Sequence, residues 1–400
     1  MTILAGKTIV LGVTGSVSAY KAAELVSRLT QAGADIDVVM TEAAQRFISP
    51  LCLRALSHRP VVTSMWETAS QFSVEHVSLA EATDAVLIAP ATASTIAHLA
   101  AGLADDILCA TVLATRAPVI IAPAMSDGMY TNAVTQENIA RLVERGFVFV
   151  GPEYGILASG KTGTGRLAAP DKIIGTLRQM LGRNGDLAGR KVVVTAGGTR
   201  EAIDPVRVLT NRSSGKMGYA LAEAGRDRGA SVKLISCADL LEPAGVDITY
   251  VTTALEMKAT VEAAVTDCDA LVMAAAVADY RPETVASEKL KKSGELVLKL
   301  VLNPDIVGGL KGSFIRVGFA AESRELVVSA RAKLAAKSLD LIVANDITDP
   351  ESGFGVDTNR VTLIEKGGYE EALPLLTKAE VADKVWDRVV ALLGRRQPGV

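Results

Sequence analysis

The chain has 400 residues, enough for two domains of ordinary size, each able to bury a core of its own. Hydrophobic residues make up 49% and charged residues 22%, the balance of a folded globular protein rather than a disordered one. A net charge of -3 offers no positive field to nucleic acid or an anionic membrane, and four scattered cysteines with only three histidines give no zinc-ligand spacing.

In chain order, the opening segment lacks a basic stretch followed by a long apolar run, so no signal peptide is expected. No run approaches the ~18 apolar residues of a membrane span. The expected compartment is the reducing cytoplasm. Residues 5–15 (AGKTIVLGVTG) and 188–198 (AGRKVVVTAGG) share one pattern: a polar lead-in, a short apolar run and a glycine turn. Such a run reads as a buried parallel strand feeding a glycine-rich loop. Each is followed by a helical stretch, SAYKAAELVSRLTQAG or SSGKMGYALAEAGRDRGA, and then by a second strand, ADIDVVMT or ASVKLIS. Both halves therefore start with a βαβ unit. Further strand-like runs alternate with helical stretches. These are DAVLIAPA, APVIIAPA and FVFVGP in the first half, and ITYVTT, ALVMAAAVA, IRVGFAA, LDLIVAND and VTLIE in the second. The pattern predicts an α/β protein of two doubly wound, mostly parallel-sheet Rossmann-like domains in tandem, residues 1–185 and 186–400. The glycine-rich, charged segment LGRNGDLAGR over 181–190 is the expected linker.

The first loop, Gly12-Val13-Thr14-Gly15-Ser16, lacks the G-x-G-x-x-G spacing of a dinucleotide site. Thr14, Ser16 and Thr41 are neutral donors that would suit the terminal phosphate of a mononucleotide. On these residues alone, ordinary helix capping is the simpler account. Two later strands end in Ala89-Pro90-Ala91-Thr92-Ala93-Ser94 and Ala122-Pro123-Ala124-Met125-Ser126-Asp127. Ligands of open α/β sheets sit beyond such strand ends, and a proline there fixes the loop geometry.

The stretches GVTGSVSAYK, VVMTEAAQRFI, EHVSLAEATDAVLIAPATAS and APAMSDGMY resemble the flavin-dependent cysteine decarboxylases, in particular those acting on phosphopantothenoylcysteine. The resemblance spans nearly the whole first half. It implies FMN held by Gly12, Thr14, Gly15, Ser16, Thr41, Pro90, Ala91, Thr92 and Ser94. It also implies oxidation of the cysteine side chain to a thioaldehyde, loss of carbon dioxide, and return of the electrons by the reduced flavin. By motif, His76 is the required histidine. Two positions depart from the pattern. Ser126 stands where the family carries the asparagine that orients the substrate carboxylate, and Ser159 stands where the flap carries a cysteine. A hydroxyl is a far weaker acid than a thiol, so proton delivery from Ser159 is in question.

In the second half, NRSSGKMG places Met217 after Gly-Lys and lacks the P-loop spacing. Backbone N–H groups from Ser213 to Gly218 could still cradle an anion, or simply start a helix. Asp279 follows an apolar run, where it could meet magnesium or a ribose. Lys289-Leu290-Lys291-Lys292 reads as a basic loop, Asn303–Val307 as a turn entering a helix, and Lys333 and Lys337 as an i, i+4 pair. The ordered series TAGGTRE, DPVR, NRSSGKMG, AAAVADYRP, KLKK, NPDIV, VGFAAE and ANDI resembles the CTP-using bacterial phosphopantothenate–cysteine ligases. That resemblance implies an acyl-cytidylate made from 4'-phosphopantothenate and CTP, then attack by cysteine. Asn211 would act in the second step and Lys289 in the first. CTP would meet Met273, Ala274, Ala275, Asp279, Lys289, Pro304, Asp305, Ile306, Val307, Phe319, Lys333 and Lys337, with Mg2+ at Asp279. The order of the halves is that of the bifunctional bacterial enzyme, whose ligase product, 4'-phosphopantothenoylcysteine, is the decarboxylase substrate. The resemblance further implies a homo-oligomer with trimeric and dimeric contacts, up to a dodecamer. Two other readings carry the same motifs: a ligase whose flavin domain has lost or altered its activity, and a flavin-binding regulatory scaffold.

Overall fold

The computed structural model describes residues 3–66, 75–292, 294–322, 326–346, 352–353 and 355–396. It divides into two compact units, 1–181 and 182–400.

In the first unit the strands are β1 (Thr8–Val13), β2 (Asp35–Met40), β3 (Val61–Val62), β4 (Ala85–Ala91), β5 (Val119–Pro123) and β6 (Val148–Phe149). They form one sheet in the order β3-β2-β1-β4-β5-β6, parallel throughout. The helices are α1 (Ala22–Gln31), α2 (Pro50–Ser57), α3 (Glu75–Ala82), α4 (Ala93–Ala101), α5 (Ile107–Ala114), α6 (Asp127–Tyr130), α7 (Ala133–Glu144) and α8 (Pro170–Gly182). The strands are apolar on both faces because both faces of the sheet are covered, and period-two alternation sends successive residues to opposite cores. Ile9, Leu11 and Val13 enter the core shared with Leu25, Val26 and Leu29 of α1, while Val10 between them enters the opposite core with Ile96 and Leu108. A separate antiparallel hairpin, β7 (Glu153–Ile156) and β8 (Thr162–Arg166), follows β6.

The second unit contains β9 (Lys191–Ala196), β10 (Arg200–Ala202), β11 (Val208–Thr210), β12 (Ser231–Ser236), β13 (Asp247–Tyr250), β14 (Ala270–Met273), β15 (Tyr280–Pro282), β16 (Leu300–Leu302), β17 (Ile315–Glu322), β18 (Leu341–Asp346), β19 (Thr358–Asn359), β20 (Val361–Glu365), β21 (Glu370–Ala372) and β22 (Leu376–Thr377). Its helices are α9 (Lys216–Asp227), α10 (Ala254–Ala264), α11 (Leu326–Ala336) and α12 (Lys378–Arg396). The main sheet has the order β13-β12-β9-β14-β17-β18-β20-β21. It is parallel up to β18, and β20 and β21 add antiparallel strands at one edge. The doubly wound, mostly parallel reading thus holds for both sheets.

Segment 183–190 is not extended. Leu187 N–H donates to the carbonyl of Arg228, and a Cβ on Gly182 would lie 1.7 Å from the Asp227 carbonyl oxygen, so only glycine allows that approach. Trp386 on α12 is fully buried, donates its indole N–H to Leu221 of α9 at 2.8 Å, and lies against Gly225. Trp66 in the first unit is 85% exposed.

One expectation fails. Asn303–Val307 does not enter a helix; residues 306–309 form turns. Gly308 and Gly309 follow at once, and each glycine costs a helix about 1 kcal/mol relative to alanine.

Candidate functional site

Both sheets reverse their strand order beside the first strand, β1/β4 in one and β9/β14 in the other. In each, some of the residues singled out from the sequence lie at the carboxyl ends of these strands, Thr14 and Pro90–Thr92 in the first unit and Met273–Ala275 in the second, where open α/β sheets place ligands.

In the first unit Thr14 is buried. Its hydroxyl donates to the Pro90 carbonyl at 2.7 Å and accepts the Thr92 N–H at 3.0 Å. The side chain therefore ties the end of β1 to the end of β4. Thr92 in turn caps α4 by accepting the Thr95 N–H. Ser16 caps the short helical turn over Val17–Lys21, and Thr41 accepts the Ala44 N–H. Gly15 lies so close to Ala43 that a Cβ would approach its Cβ to 2.4 Å. Ser94 is exposed at the start of α4. The rim thus carries short hydroxyl side chains bonded to backbone groups at helix starts, a setting that fits an anionic phosphate tail.

Ser126 precedes α6, is exposed and makes no side-chain capping bond. The β7–β8 hairpin is laced to the same loop: Met125 N–H donates to Gly165 at 3.0 Å, and Thr164 N–H donates to the Asp127 carboxylate at 2.7 Å. A Cβ on Gly165 would lie 2.1 Å from the Met125 carbonyl oxygen, so this contact needs glycine. Ser159 is exposed in the turn of the hairpin, closed by Leu157 N–H to Lys161 at 2.8 Å. Ser126 and Ser159 thus belong to segments that the structure ties together, and Asp127, which sequence reasoning did not single out, makes one of the ties. His76 is half-buried in the first turn of α3. His98 pairs with Asp105 at 3.1 Å, and Asp106 caps the N–H of Cys109, whose thiol burial pushes up.

The second unit holds a cavity of about 740 Å³. It is lined by Met273 at the end of β14, Ala274 and Ala275 just after it, and Phe319 on β17. The start of α9 closes one side. Gly215 has φ 81°, and Gly218 sits so near β9 that a Cβ would lie 2.7 Å from the Thr195 carbonyl oxygen and 2.5 Å from the Ala196 Cβ. No side chain at Gly215 caps this helix, and Ser213–Gly218 at its start line the cavity. Asn211, Asp279, Pro304, Asp305, Ile306 and Val307 also line it.

Four lysines line the space: Lys216, Lys333, Lys337 and Lys378. Lys333 reaches the Phe319 carbonyl at 3.4 Å, and Lys337, in the closing turn of α11, reaches Asp305 at 3.2 Å. Lys216 bonds Asp357 at 2.7 Å and holds that carboxyl below its usual range. Lys378 is buried at the start of α12 and donates to the carbonyls of Gly353 and Val356. Burial first, and the charge of Lys216 second, lower its pKa. Ser352 joins Asn345 and Asn359, which also line the cavity, through 2.9 Å bonds to each. Sequence reasoning missed Lys216, Lys378 and Asn359. The one usable signal was Asn345, a polar residue ending the apolar run of β18. Lys289 is the exception among the expected residues. It is exposed and does not line the cavity.

Asn211 donates its side-chain N–H₂ to the carbonyls of Ala276 and Val277, both at 3.2 Å. Its Oδ1 is left as an acceptor. The Asp279 carboxylate makes no hydrogen bond or ion pair among the described residues and is exposed. An exposed carboxylate lining a cavity that four lysines also line suits a magnesium–polyphosphate better than a metal held by protein alone.

A family model described as Flavoprotein matches residues 2–182, and one described as DNA/pantothenate metabolism flavoprotein C-terminal domain matches residues 187–393. The coenzyme A biosynthesis bifunctional protein CoaBC of Vibrio vulnificus (strain YJ016) is 45% identical over 402 residues, covering 98% of this chain and 100% of its own. The protein of the same name from Bacillus subtilis (strain 168) is 44% identical over 398 residues, covering 98% of each chain. A crystal structure of the C-terminal domain of a CoaBC protein is 38% identical and covers 53% of this chain and 99% of its own, with a TM-score of 0.46.

Proposed function

The chain belongs to the family of coenzyme A biosynthesis bifunctional proteins, and from that membership we propose how its two rims divide the work. It is a flavoprotein and a bifunctional enzyme, ligase and decarboxylase, of coenzyme A biosynthesis. The C-terminal unit joins 4'-phosphopantothenate to cysteine using CTP. The N-terminal unit decarboxylates the product to 4'-phosphopantetheine.

The observation that carries this reading is the cavity lined by four lysines, an uncapped helix start, Asn211 and Asp279. Its volume of about 740 Å³ accommodates a nucleotide and a second acid together. In the first step the phosphopantothenate carboxylate attacks the α-phosphorus of CTP, and the bond to pyrophosphate breaks. Lys333, Lys337 and the N–H groups opening α9 oppose the triphosphate charge, with Lys216 and Lys378 adding to the positive wall. Asp279 would hold magnesium, which neutralises phosphate oxygens when bound. In the second step the cysteine amine attacks the acyl carbon and CMP leaves. The Oδ1 of Asn211, fixed by the two bonds of its amide nitrogen, is an acceptor for the amine N–H.

In the first unit the rim of Thr14, Gly15, Ser16, Thr41, Pro90, Ala91, Thr92 and Ser94 would hold FMN, with Gly12 at the end of β1 beneath it. When bound, FMN takes up and returns the electron pair that makes decarboxylation possible. His76, Ser126 and Ser159 would handle the substrate carboxylate and protons. The test is one incubation of the purified protein with FMN, CTP, Mg2+, 4'-phosphopantothenate and cysteine. Pyrophosphate, CMP and carbon dioxide should appear in equal amounts. Pyrophosphate without carbon dioxide would limit the chain to its ligase half.

A further inference from the structure

Thr92, on the rim of the first unit, opens α4; the opposite end of that helix carries a separate group of side chains. His98 lies in its last turn. Gly102 then ends the helix with φ 73°, and the Leu103 N–H donates to the His98 carbonyl at 2.9 Å. A few residues later Asp106 caps α5, its Oδ1 accepting the Cys109 N–H at 2.7 Å. The tight joint brings three side chains together. A ring nitrogen of His98, a carboxylate oxygen of Asp106 and the Sγ of Cys109 all lie within 4.8 Å of one another. Among the described residues, no other three His, Cys, Asp or Glu side chains converge in this way. The sequence shows no zinc-ligand spacing because the donors come from two helices across a turn, outside any C-x-x-C or H-x-x-x-H pattern.

Helix capping accounts for only part of this group. The cap occupies one oxygen of Asp106, and a carboxylate has about four lone-pair sites. Imidazole, carboxylate and thiolate are the donors that zinc takes at about 2.0–2.3 Å, which sets ligand atoms about 3.5 Å apart in a tetrahedron. Cys109 is buried and gives the site a fixed anchor, whereas His98 and Asp106 are partly exposed, free to turn inward and open to an entering ion. Asp105 adds a second carboxylate, 3.1 Å from His98 Nδ1, either orienting the ring or serving as a fourth donor. Thiolate and imidazole also select against Mg2+ and Ca2+, which take oxygen donors.

We propose that His98, Asp106 and Cys109 form a zinc site that joins the end of α4 to the start of α5, with Asp105 or water completing four-coordination. The ion displaces the thiol proton, which leaves to solvent, and the thiolate and carboxylate balance its two positive charges. The site is independent of the ligase reading and adds a metal of a different kind from the magnesium proposed at Asp279.

The experiment is calorimetric titration of full-length, FMN-loaded protein, freed of divalent ions, with Zn2+ in excess Mg2+. Wild type should bind one Zn2+ per chain, and its first unit should melt at a higher temperature when zinc is present. His98→Gln and Cys109→Ser should each weaken binding at least about tenfold. H98Q changes a half-buried position and should melt as wild type does without zinc, so it carries the test if C109S does not fold. With Co2+ as the probe, a thiolate-to-metal absorption band should appear in the difference spectrum of wild type and be missing in C109S. No zinc binding, binding of equal strength in H98Q and wild type, or displacement of zinc by Mg2+ would overturn the proposal.

Discussion

The hydroxyl of Thr14 accepts the N–H of Thr92 at 3.0 Å while donating to the carbonyl of Pro90. One buried side chain thus holds together the loops that end β1 and β4. Replacing it with valine leaves a buried amide and a carbonyl without that partner, at a cost of about 1–3 kcal/mol. Thr14→Val should lower the melting temperature of the first unit and weaken FMN retention on a desalting column. Thr14→Ser, which keeps the hydroxyl, should retain most of both. Equal flavin loss in the two variants would show that the methyl contact, not the hydroxyl, matters.

Ser159 stands in the exposed turn of the β7–β8 hairpin, whose second strand is tied to Asp127. A thiol placed there delivers a proton more readily than a hydroxyl. Ser159→Cys should therefore raise the rate of reduced-flavin reoxidation and of carbon dioxide release, with pyrophosphate formation unchanged. A rate equal to wild type would mean that proton supply from this position is not limiting.

Lys337, just after α11, bonds Asp305 at 3.2 Å, and both line the cavity of the second unit in which CTP is proposed to bind. A hydrogen bond to a charged group contributes about 1.5–3 kcal/mol. Lys337→Met should raise the KM for CTP roughly tenfold to a hundredfold, and it should leave decarboxylation of added phosphopantothenoylcysteine untouched. An unchanged KM for CTP would place the triphosphate elsewhere.

Gly218 allows the start of α9 to approach β9. A methyl group there meets the Thr195 carbonyl oxygen at 2.7 Å and the Ala196 Cβ at 2.5 Å, and both neighbours are backbone or short side chain with little room to move. Gly218→Ala should cost about 1–3 kcal/mol of stability by overpacking. It should also displace the start of α9, which lines the cavity, and calorimetry of unfolding with and without CTP would read both effects. Stabilisation by CTP as large as in wild type would show that this helix start is not part of the nucleotide contact.

The Asp204 carboxyl should leave a mark on acid stability. Burial alone would raise its pKa, but the N–H groups of Val206, Leu290 and Arg207 outweigh burial and hold it below the usual carboxylate value. Its contribution is therefore fully present above the unfolded pKa of ~3.9 and is lost as pH falls through the lower folded value. In D204N, which cannot titrate at this position, denaturant midpoints should fall less steeply below about pH 4. Identical slopes would mean the carboxyl is not stabilised in the folded state.

Much of the architecture could be read directly from the chain. The buried parallel strands announce themselves as apolar runs because both faces of each sheet are covered, as the split of Ile9 and Val10 between two cores shows. The glycine loops after β1 and β9 marked both rims. What could not be read was long-range. Nothing local to Lys378 says that it will be buried against Gly353 and Val356, since its sequence neighbours Thr377 and Glu380 form an ordinary helix start. Thr14 looked like a spare donor because its two partners lie more than seventy positions away. The helix expected after Pro304 failed for a local reason that was visible, the Gly308-Gly309 pair.

The two tryptophans differ as much as two indoles in one chain can, since Trp386 is sealed between α12 and α9 while Trp66 stands in solvent. Each unit therefore carries its own optical label. Emission from Trp386 should lie at short wavelength and shift to the red only when the C-terminal unit melts, whereas Trp66 already emits at the red end. A single fluorescence titration would then report the unfolding of the C-terminal unit without truncating or tagging the protein.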